Sequence, residues 1–374
     1  MKIKIKKRTK KKHFLIYFLI LIFFAILFIY SITFSAQAAD MFLRPLLGEK
    51  NTLLLESVYF GLQDKIDRIE YIITGEHPPS FSIIPPSKTT PTQNIDKMDL
   101  IHLTASLGLS TLAGEGVWVP IAQNLYPNQT IIARTFLRPD ASHPYAIVSL
   151  VKMDLKKLGL DTQAGTYYPG GTSGIYGPGA VPRNIQQSNT LLAVFNGGFQ
   201  KKDGRYGMVV EDKTYVPLRI NMPTLLLYKD GSIQFITYSG QALPSNIAAI
   251  RQNGPYLIEN GTITPYVEQG VDTWGRTVTN SMYTWRSGIG ITKEGNLIYA
   301  AGNSLIPSTL AKALLKAGAV NAIQLDINPP WVRFILYQSI GNGRYTFSPL
   351  LNSMRGGKEY LKRYNKDFFY VYKK

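Results

Sequence analysis

The chain has 374 residues, with 41 Lys/Arg against 24 Asp/Glu and a formal charge of +17. It contains no cysteine, which excludes disulfides and a thiolate nucleophile, so the fold must rest on its core. The four histidines, at positions 13, 77, 102 and 143, have none of the spacings of a zinc site, and no metal site is assigned.

Residues 1–13 form a basic segment: eight Lys/Arg and no acid lie in the first 12 positions. Residues 14–34 read FLIYFLILIFFAILFIYSITF without a charge, about enough to cross a hydrocarbon core as a helix. Flanking cations stay cytoplasmic, so the reading is an N-terminal transmembrane helix with the rest of the chain outside, in the cell envelope. Ala36-Gln37-Ala38 fits a cleavage pattern, which leaves two fates open: an uncleaved signal anchor, or a secreted protein cut after Ala38. Beyond residue 39 there remain 33 Lys/Arg against 24 acids, about +9, which suits an anionic polymer as partner. Export makes nucleic acid an unsuitable partner.

Residues 40–75, including LLLESVYFGLQDKIDRIEYII, have helical spacing and read as a stalk. Residues 75–97 are rich in Pro, Ser and Thr with no usable period, and read as a linker. From 98 the pattern turns to short strands: 116–121, 130–137, 145–153, 191–196, 206–211, 224–228 and 232–238. Lys229-Asp230-Gly231 and Lys293-Glu294-Gly295 read as hairpin turns. Residues 165–182, GTYYPGGTSGIYGPGAVP, are a long loop by composition. One helix is predicted over 308–317, with apolar Leu310, Ala311, Leu314 and Leu315 on one face and Gly318 as its stop. Strand 322–326 follows it and ends on Asp326. Residues 346–374 are basic and aromatic, either a terminal strand or a surface extension. The fold class expected is α+β: a mostly antiparallel, sheet-dominated domain over 98–345, with few helices.

Four blocks carry a family resemblance: AVFNGGF (193–199) with YGMVVEDKTYVP (206–217), NGPYLIENGTI (253–263), WRSGIGITKEGNLIYA (285–300) and LAKALLKAGAVNAIQLD (310–326). In this order and spacing they resemble the phosphodiester glycosidase family. That family includes the enzyme that removes a capping N-acetylglucosamine from mannose 6-phosphate, and many bacterial envelope proteins. The resemblance spans roughly 145–340. It implies hydrolysis between an anomeric carbon and a phosphodiester oxygen in a surface glycan or glycolipid.

Such a site needs a cation for phosphate, a carboxylate near the anomeric centre and polar groups that orient the sugar. Arg286, Asp326 and Asn196 fall in the matching blocks and suit those roles in that order, with Gly197 and Gly198 in the adjoining turn. Asp272 is the better candidate for a second carboxylate, because Glu259 sits in an exposed-type turn. The chain departs from the family after Asp326: where members continue into glycines and a serine, it reads Ile327-Asn328-Pro329-Pro330-Trp331. Two prolines remove conformational freedom and two N–H donors, so the site has been rebuilt. Asn328 and Trp331 then become candidate substrate contacts, and a divalent cation at Asp326 and Asn328 stays open as a cofactor. The competing reading is a membrane-tethered, catalytically inactive carbohydrate-binding or envelope-assembly protein whose groove is lined by Trp331, Tyr167, Tyr168 and Tyr176.

Overall fold

The structure is a computed structural model; it describes residues 46, 47, 51, 62, 65, 66, 68–75, 98, 100–106, 108–121, 129–275, 282–328, 331–351, 354 and 356–374. The chain divides into two units, Met1–Tyr59 and Phe60–Lys374. In the first, residues 46, 47 and 51 are helical, and Asn51 Nδ2 donates to the Leu47 carbonyl at 2.9 Å. The predicted transmembrane helix over 14–34 and nearly all of the 75–97 linker lie outside the described residues. Among the described residues, no helix is long and apolar enough to cross a membrane.

The second unit begins with helical residues between 62 and 74, as the stalk spacing predicts. Its strands run in chain order as β1 (Val119–Ile121), β2 (Ile132–Leu137), β3 (Val148–Met153), β4 (Leu158–Gln163), β5 (Leu191–Asn196) and β6 (Met208–Val210). Next come β7 (Lys213–Val216), β8 (Met222–Tyr228), β9 (Ile233–Tyr238), β10 (Ile247–Gln252), β11 (Tyr256–Glu259) and β12 (Thr262–Ile263). The series closes with β13 (Thr284–Thr292), β14 (Leu297–Leu305), β15 (Ala319–Ile327), β16 (Phe334–Ser339), β17 (Tyr345–Pro349) and β18 (Phe368–Lys373). They form an eight-stranded sheet in the order β1-β2-β3-β14-β13-β15-β11-β12 and two five-stranded sheets, β7-β6-β10-β8-β9 and β17-β16-β5-β18-β4. The pairings described are antiparallel, so the sheet-dominated α+β expectation holds for the described residues.

Short turns set these pairings. Lys229-Asp230-Gly231 joins β8 to β9, with Asp230 Oδ1 accepting from Ser232 N at 2.8 Å, and Lys293-Glu294-Gly295 joins β13 to β14. Both turn glycines have positive φ, +77° and +88°, a region that a side chain would strain.

Among the described residues beyond 98 the α-helices are few: α1 (Arg183–Gln187), α2 (Val271–Trp274) and α3 (Pro307–Lys316). The last begins one residue before the predicted start, since proline's fixed φ suits a first helical position. Its Leu310, Ala311, Ala313 and Leu314 are buried in one cluster with Leu150, Leu257, Ile298 and Ala322, covering one face of the large sheet. The main core lies among the three sheets, with Val151, Ile289, Tyr299 and Leu325 from the largest meeting Phe195, Phe334 and Phe369 of the β17-β16-β5-β18-β4 sheet and Leu225, Leu227 and Ala249 of the β7-β6-β10-β8-β9 sheet.

One boundary is corrected. Residues 346–374 are no extension: β18 lies between β5 and β4 inside its sheet. The continuous run Phe368–Val371 is buried, which is why it takes a central position rather than an edge. At the other end, β1–β3 join the large sheet, so the described residues from 98 to 145 lie in the same domain, within the expected 98–345. Within that region buried Glu115 accepts from Arg138 N at 2.8 Å and Nε at 3.1 Å.

Candidate active site

Four strand ends meet at one buried polar cluster. β15 ends past Asp326, β5 runs into the Gly197-Gly198 turn, β10 leads into Asn253, and Lys366-Asp367 immediately precede β18. All three sheets therefore contribute.

Asp326 is only 5% exposed. Its amide donates to the Gly197 carbonyl at 3.1 Å, its Oδ1 accepts from Ile327 N at 2.9 Å, and its Oδ2 accepts from Lys366 Nζ. Burial pushes the carboxyl up to about 6 against the opposing pull of Lys366, and nearby Asp367 adds to the rise. Lys366, 3% exposed, also lies with its Nζ 4.3 Å from the centre of the Trp331 ring, which holds the cation by its π face.

Asp367 is the second buried carboxylate, 1% exposed. Its Oδ2 accepts from Arg251 Nε at 3.0 Å and Gly198 N at 3.0 Å. Arg251 reaches on to the carbonyls of Phe199 (2.8 Å) and Gln252 (2.6 Å). Asn253 completes the link by accepting from Phe199 N at 2.7 Å and donating to the Gln324 carbonyl at 2.8 Å. The turn has to be glycine: a Cβ at Gly197 would meet the Asp367 carboxylate, and one at Gly198 would meet Asn253 Oδ1 and Arg251 Nη2.

The sequence candidates take distinct places in this frame. Asn196 is saturated: Nδ2 donates to the Gly197 carbonyl and Ser287 Oγ, both at 2.9 Å, while Oδ1 accepts from Tyr299 OH (3.0 Å) and Arg333 N (3.1 Å). It shapes the turn rather than presenting a free amide. Gly197 and Gly198 likewise give their N–H groups to the Asp367 carbonyl and carboxylate. Arg286 is fully buried and spends four of its five N–H groups on Leu305 O, Trp274 O, Gln324 Oε1 and Met282 O, at 2.7 to 3.1 Å. The fork read as a phosphate clamp is thus committed to the protein. Burial lowers its guanidinium to about 9, and it meets no carboxylate among the described residues, so it stays an uncompensated positive charge at neutral pH.

Asn328 shapes the rebuilt turn at φ +74°: it donates its N–H to the Trp285 carbonyl at 2.9 Å, and its own carbonyl accepts from Trp331 N at 3.1 Å. Pro329 and Pro330 lie outside the described residues. Asp272 is exposed in the first turn of α2, away from the buried carboxylates in environment, and Glu259 is exposed beside its turn, as its Glu-Asn-Gly context predicts. Among the described residues, no group of three His, Asp or Glu side chains is gathered to hold a metal. Sequence reasoning missed Lys366, Asp367, Arg251 and Asn253. Only Asn253 stood in a matching block, as the head of Asn-Gly-Pro.

What this arrangement defines is a carboxylate with a raised proton affinity, paired to a lysine, at the end of the strand that closes the resembling blocks. Residues 189–326 match the family model for phosphodiester glycosidase, the family that the sequence blocks resemble. Among solved structures, the chain is similar to the catalytic domain of zebrafish N-acetylglucosamine-1-phosphodiester alpha-N-acetylglucosaminidase, auto-inhibited by its pro-peptide. The identity is 17%, covering 67% of this chain and 86% of that one, with a TM-score of 0.43. A hypothetical protein from Synechocystis is similar at 13% identity over 65% of this chain and 62% of that one, with a TM-score of 0.35. Comparison with curated proteins gave no match.

Proposed function

We propose that the domain hydrolyses a sugar-1-phosphodiester in a surface glycan or glycolipid, with Asp326 as general base and Lys366 as the phosphate-binding cation. The observation that carries the reading is the buried Asp326–Lys366 pair, placed where the matched family segment ends. A carboxyl held near 6 is ionised at neutral pH yet basic enough to accept a proton from water. Water then attacks the anomeric carbon, the bond from that carbon to the phosphodiester oxygen breaks, and its electron pair stays on phosphate. The products are the free sugar, carrying the water oxygen, and a phosphomonoester. Phosphate is a good leaving group, so a separate strong acid is not required. Lys366 moves from Asp326 to the phosphate as substrate enters, freeing the carboxylate; buried, uncompensated Arg286 adds a positive field at the same strand ends.

One observation favours the alternative of a binding protein without hydrolysis: Lys366 already neutralises Asp326, and Trp331 packs on that lysine. The reaction requires this closed pair to open. We further infer that the domain works outside the cytoplasm, tethered by the 14–34 segment or released after Ala38; the basic block and uncharged run support this. Phosphomonoester release from sugar-1-phosphodiesters by wild type, and its loss in Asp326→Asn, tests the activity. Absence of release from a broad panel, with a glycan still bound, favours the binding protein.

A further inference from the structure

The stalk helix has no part in the site described above, yet it carries a patterned apolar surface. Leu62, Ile66, Ile69 and Ile73 are helical and 53%, 60%, 55% and 76% exposed. Their spacing alternates four, three and four residues. At about 100° of helix per residue, the four side chains fall within an arc of about 60° and make one continuous seam. This is the a/d repeat of a coiled coil, with Ile66 and Ile73 at a and Leu62 and Ile69 at d.

The seam is turned away from the domain. Tyr71 lies on the opposite side of the helix, half-buried, with its ring centre 6.5 Å from that of Tyr145. Gly75 stops the helix just past Ile73: its φ is +69°, and its N–H donates to the Tyr71 carbonyl at 2.8 Å.

An apolar seam on this scale is buried by a matching one, and the charges beside it specify the match. In a parallel pair, a g residue meets the e residue five positions later in the other chain. Lys65 stands at g and Glu70 at the e position five residues on, and both are exposed. Two copies aligned in parallel therefore set Lys65 of each against Glu70 of the other, on both flanks of the seam. An antiparallel pair sets g against g and e against e, which brings like charges together.

We propose that two copies of this chain pair through their 62–74 helices as a parallel, in-register coiled coil, with Leu62, Ile66, Ile69 and Ile73 in the shared seam and Lys65–Glu70 ion pairs beside it. Isoleucine at both a positions with leucine at the first d position suits two strands. The pairing stands whether or not the domain hydrolyses a phosphodiester.

The chain has no cysteine, so single introduced cysteines report contacts between copies. Leu62→Cys, Ile73→Cys and Arg68→Cys full-length proteins in detergent are oxidised, and covalent dimer is read on non-reducing gels. Positions 62 and 73 are about 16 Å apart along the helix, and a disulfide reaches only about 7 Å between Cα atoms. Leu62→Cys and Ile73→Cys should each cross-link to the same residue of the other copy, and Arg68→Cys, off the seam, should not. An antiparallel pair would cross-link at most one of the two ends. Adding Ile66→Glu/Ile69→Glu to Leu62→Cys should cut the cross-linked fraction at least about tenfold, since it sets carboxylates inside the seam. This separates pairing by the stalk from association through the apolar 14–34 segment. Both isoleucines are exposed in the single chain, so the circular dichroism of the domain should not change. In the cysteine-free protein, sedimentation equilibrium at low salt should show Lys65→Glu weakening the dimer about tenfold, because two attractions become two repulsions. Lys65→Glu/Glu70→Lys should restore it to within about threefold. The proposal is overturned if fewer than both ends cross-link, as a seam lying on a lipid or detergent surface would give. It is equally overturned if Ile66→Glu/Ile69→Glu leaves cross-linking intact, or if the charge exchange fails to restore the dimer.

Discussion

Replacing Lys366 by Met tests the buried pair at the centre of the site. In the wild type, Asp326 has a folded value of about 6 against an ordinary carboxyl near 4. Between these values the folded chain holds a proton that the unfolded chain has released. This group therefore stabilises the fold fully below about pH 4, and that contribution is lost as the pH rises through about 6, by about 3 kcal/mol in all. Lys366 keeps the loss from being larger, since its charge favours the carboxylate. Without it, the carboxylate at pH 8 is buried and unpaired, which costs about 3–5 kcal/mol. At pH 5 Asp326 takes up a proton instead, and the cost of Lys366→Met shrinks. Urea denaturation of wild type, Lys366→Met and the double variant Asp326→Asn/Lys366→Met at pH 5 and pH 8 measures this. The single variant should lose several kcal/mol more at pH 8 than at pH 5, and the double variant should recover most of it. An equal loss at both pH values, or a double variant no better than the single, refutes the reasoning.

Three further outcomes follow from the same contacts. Hydrolysis should rise as the pH increases through about 6, because the base must be ionised, and a rate profile flat from pH 4 to 8 would contradict the role of Asp326. Gly198→Ala places a Cβ against Asn253 and Arg251, and should cost about 1–3 kcal/mol in thermal or denaturant melts; unchanged stability would show that the turn is not as tight as described. Arg286→Lys cannot serve four separate acceptors with one ammonium group, and should lower stability by more than about 2 kcal/mol. If Arg286→Lys instead leaves stability intact and selectively weakens phosphate binding, the clamp read from the sequence would be restored.

Local chemistry made much of this architecture legible in the sequence. The Leu310, Ala311 and Leu314 spacing and Gly318 gave α3 to within one residue, and the Lys-Asp-Gly and Lys-Glu-Gly turns gave two hairpins. Asp326 was legible as the polar end of an apolar strand. Lys366 and Asp367 were not, because nothing in local spacing ties them to a residue 40 positions earlier; only the insertion of β18 beside β5 brings them together. Their basic, aromatic surroundings resembled a surface tail, although the uninterrupted run Phe-Phe-Tyr-Val was the signal of a central strand. Arg286 misled for a related reason. An arginine next to tryptophan reads as a ligand-facing fork, but it lies on β13, the strand between β14 and β15, where its own side chain is shut off from water and carbonyls become its partners. Asn196 likewise read as a free amide because three of its four partners, Tyr299, Ser287 and Arg333, come from distant segments.

The central claim is that Asp326 and Lys366 together cleave a sugar-1-phosphodiester, and its most direct measurement is phosphomonoester and free-sugar release by the purified protein from a panel of such diesters. Wild type should release both products in equal amounts. Asp326→Asn should fall at least ~100-fold, the order of loss for a catalytic electrostatic group, while Lys366→Arg, which keeps the cation, should retain more activity than Lys366→Met. Release that survives in Asp326→Asn, or no release from any diester by folded wild type that still binds sugar phosphates, would contradict the account.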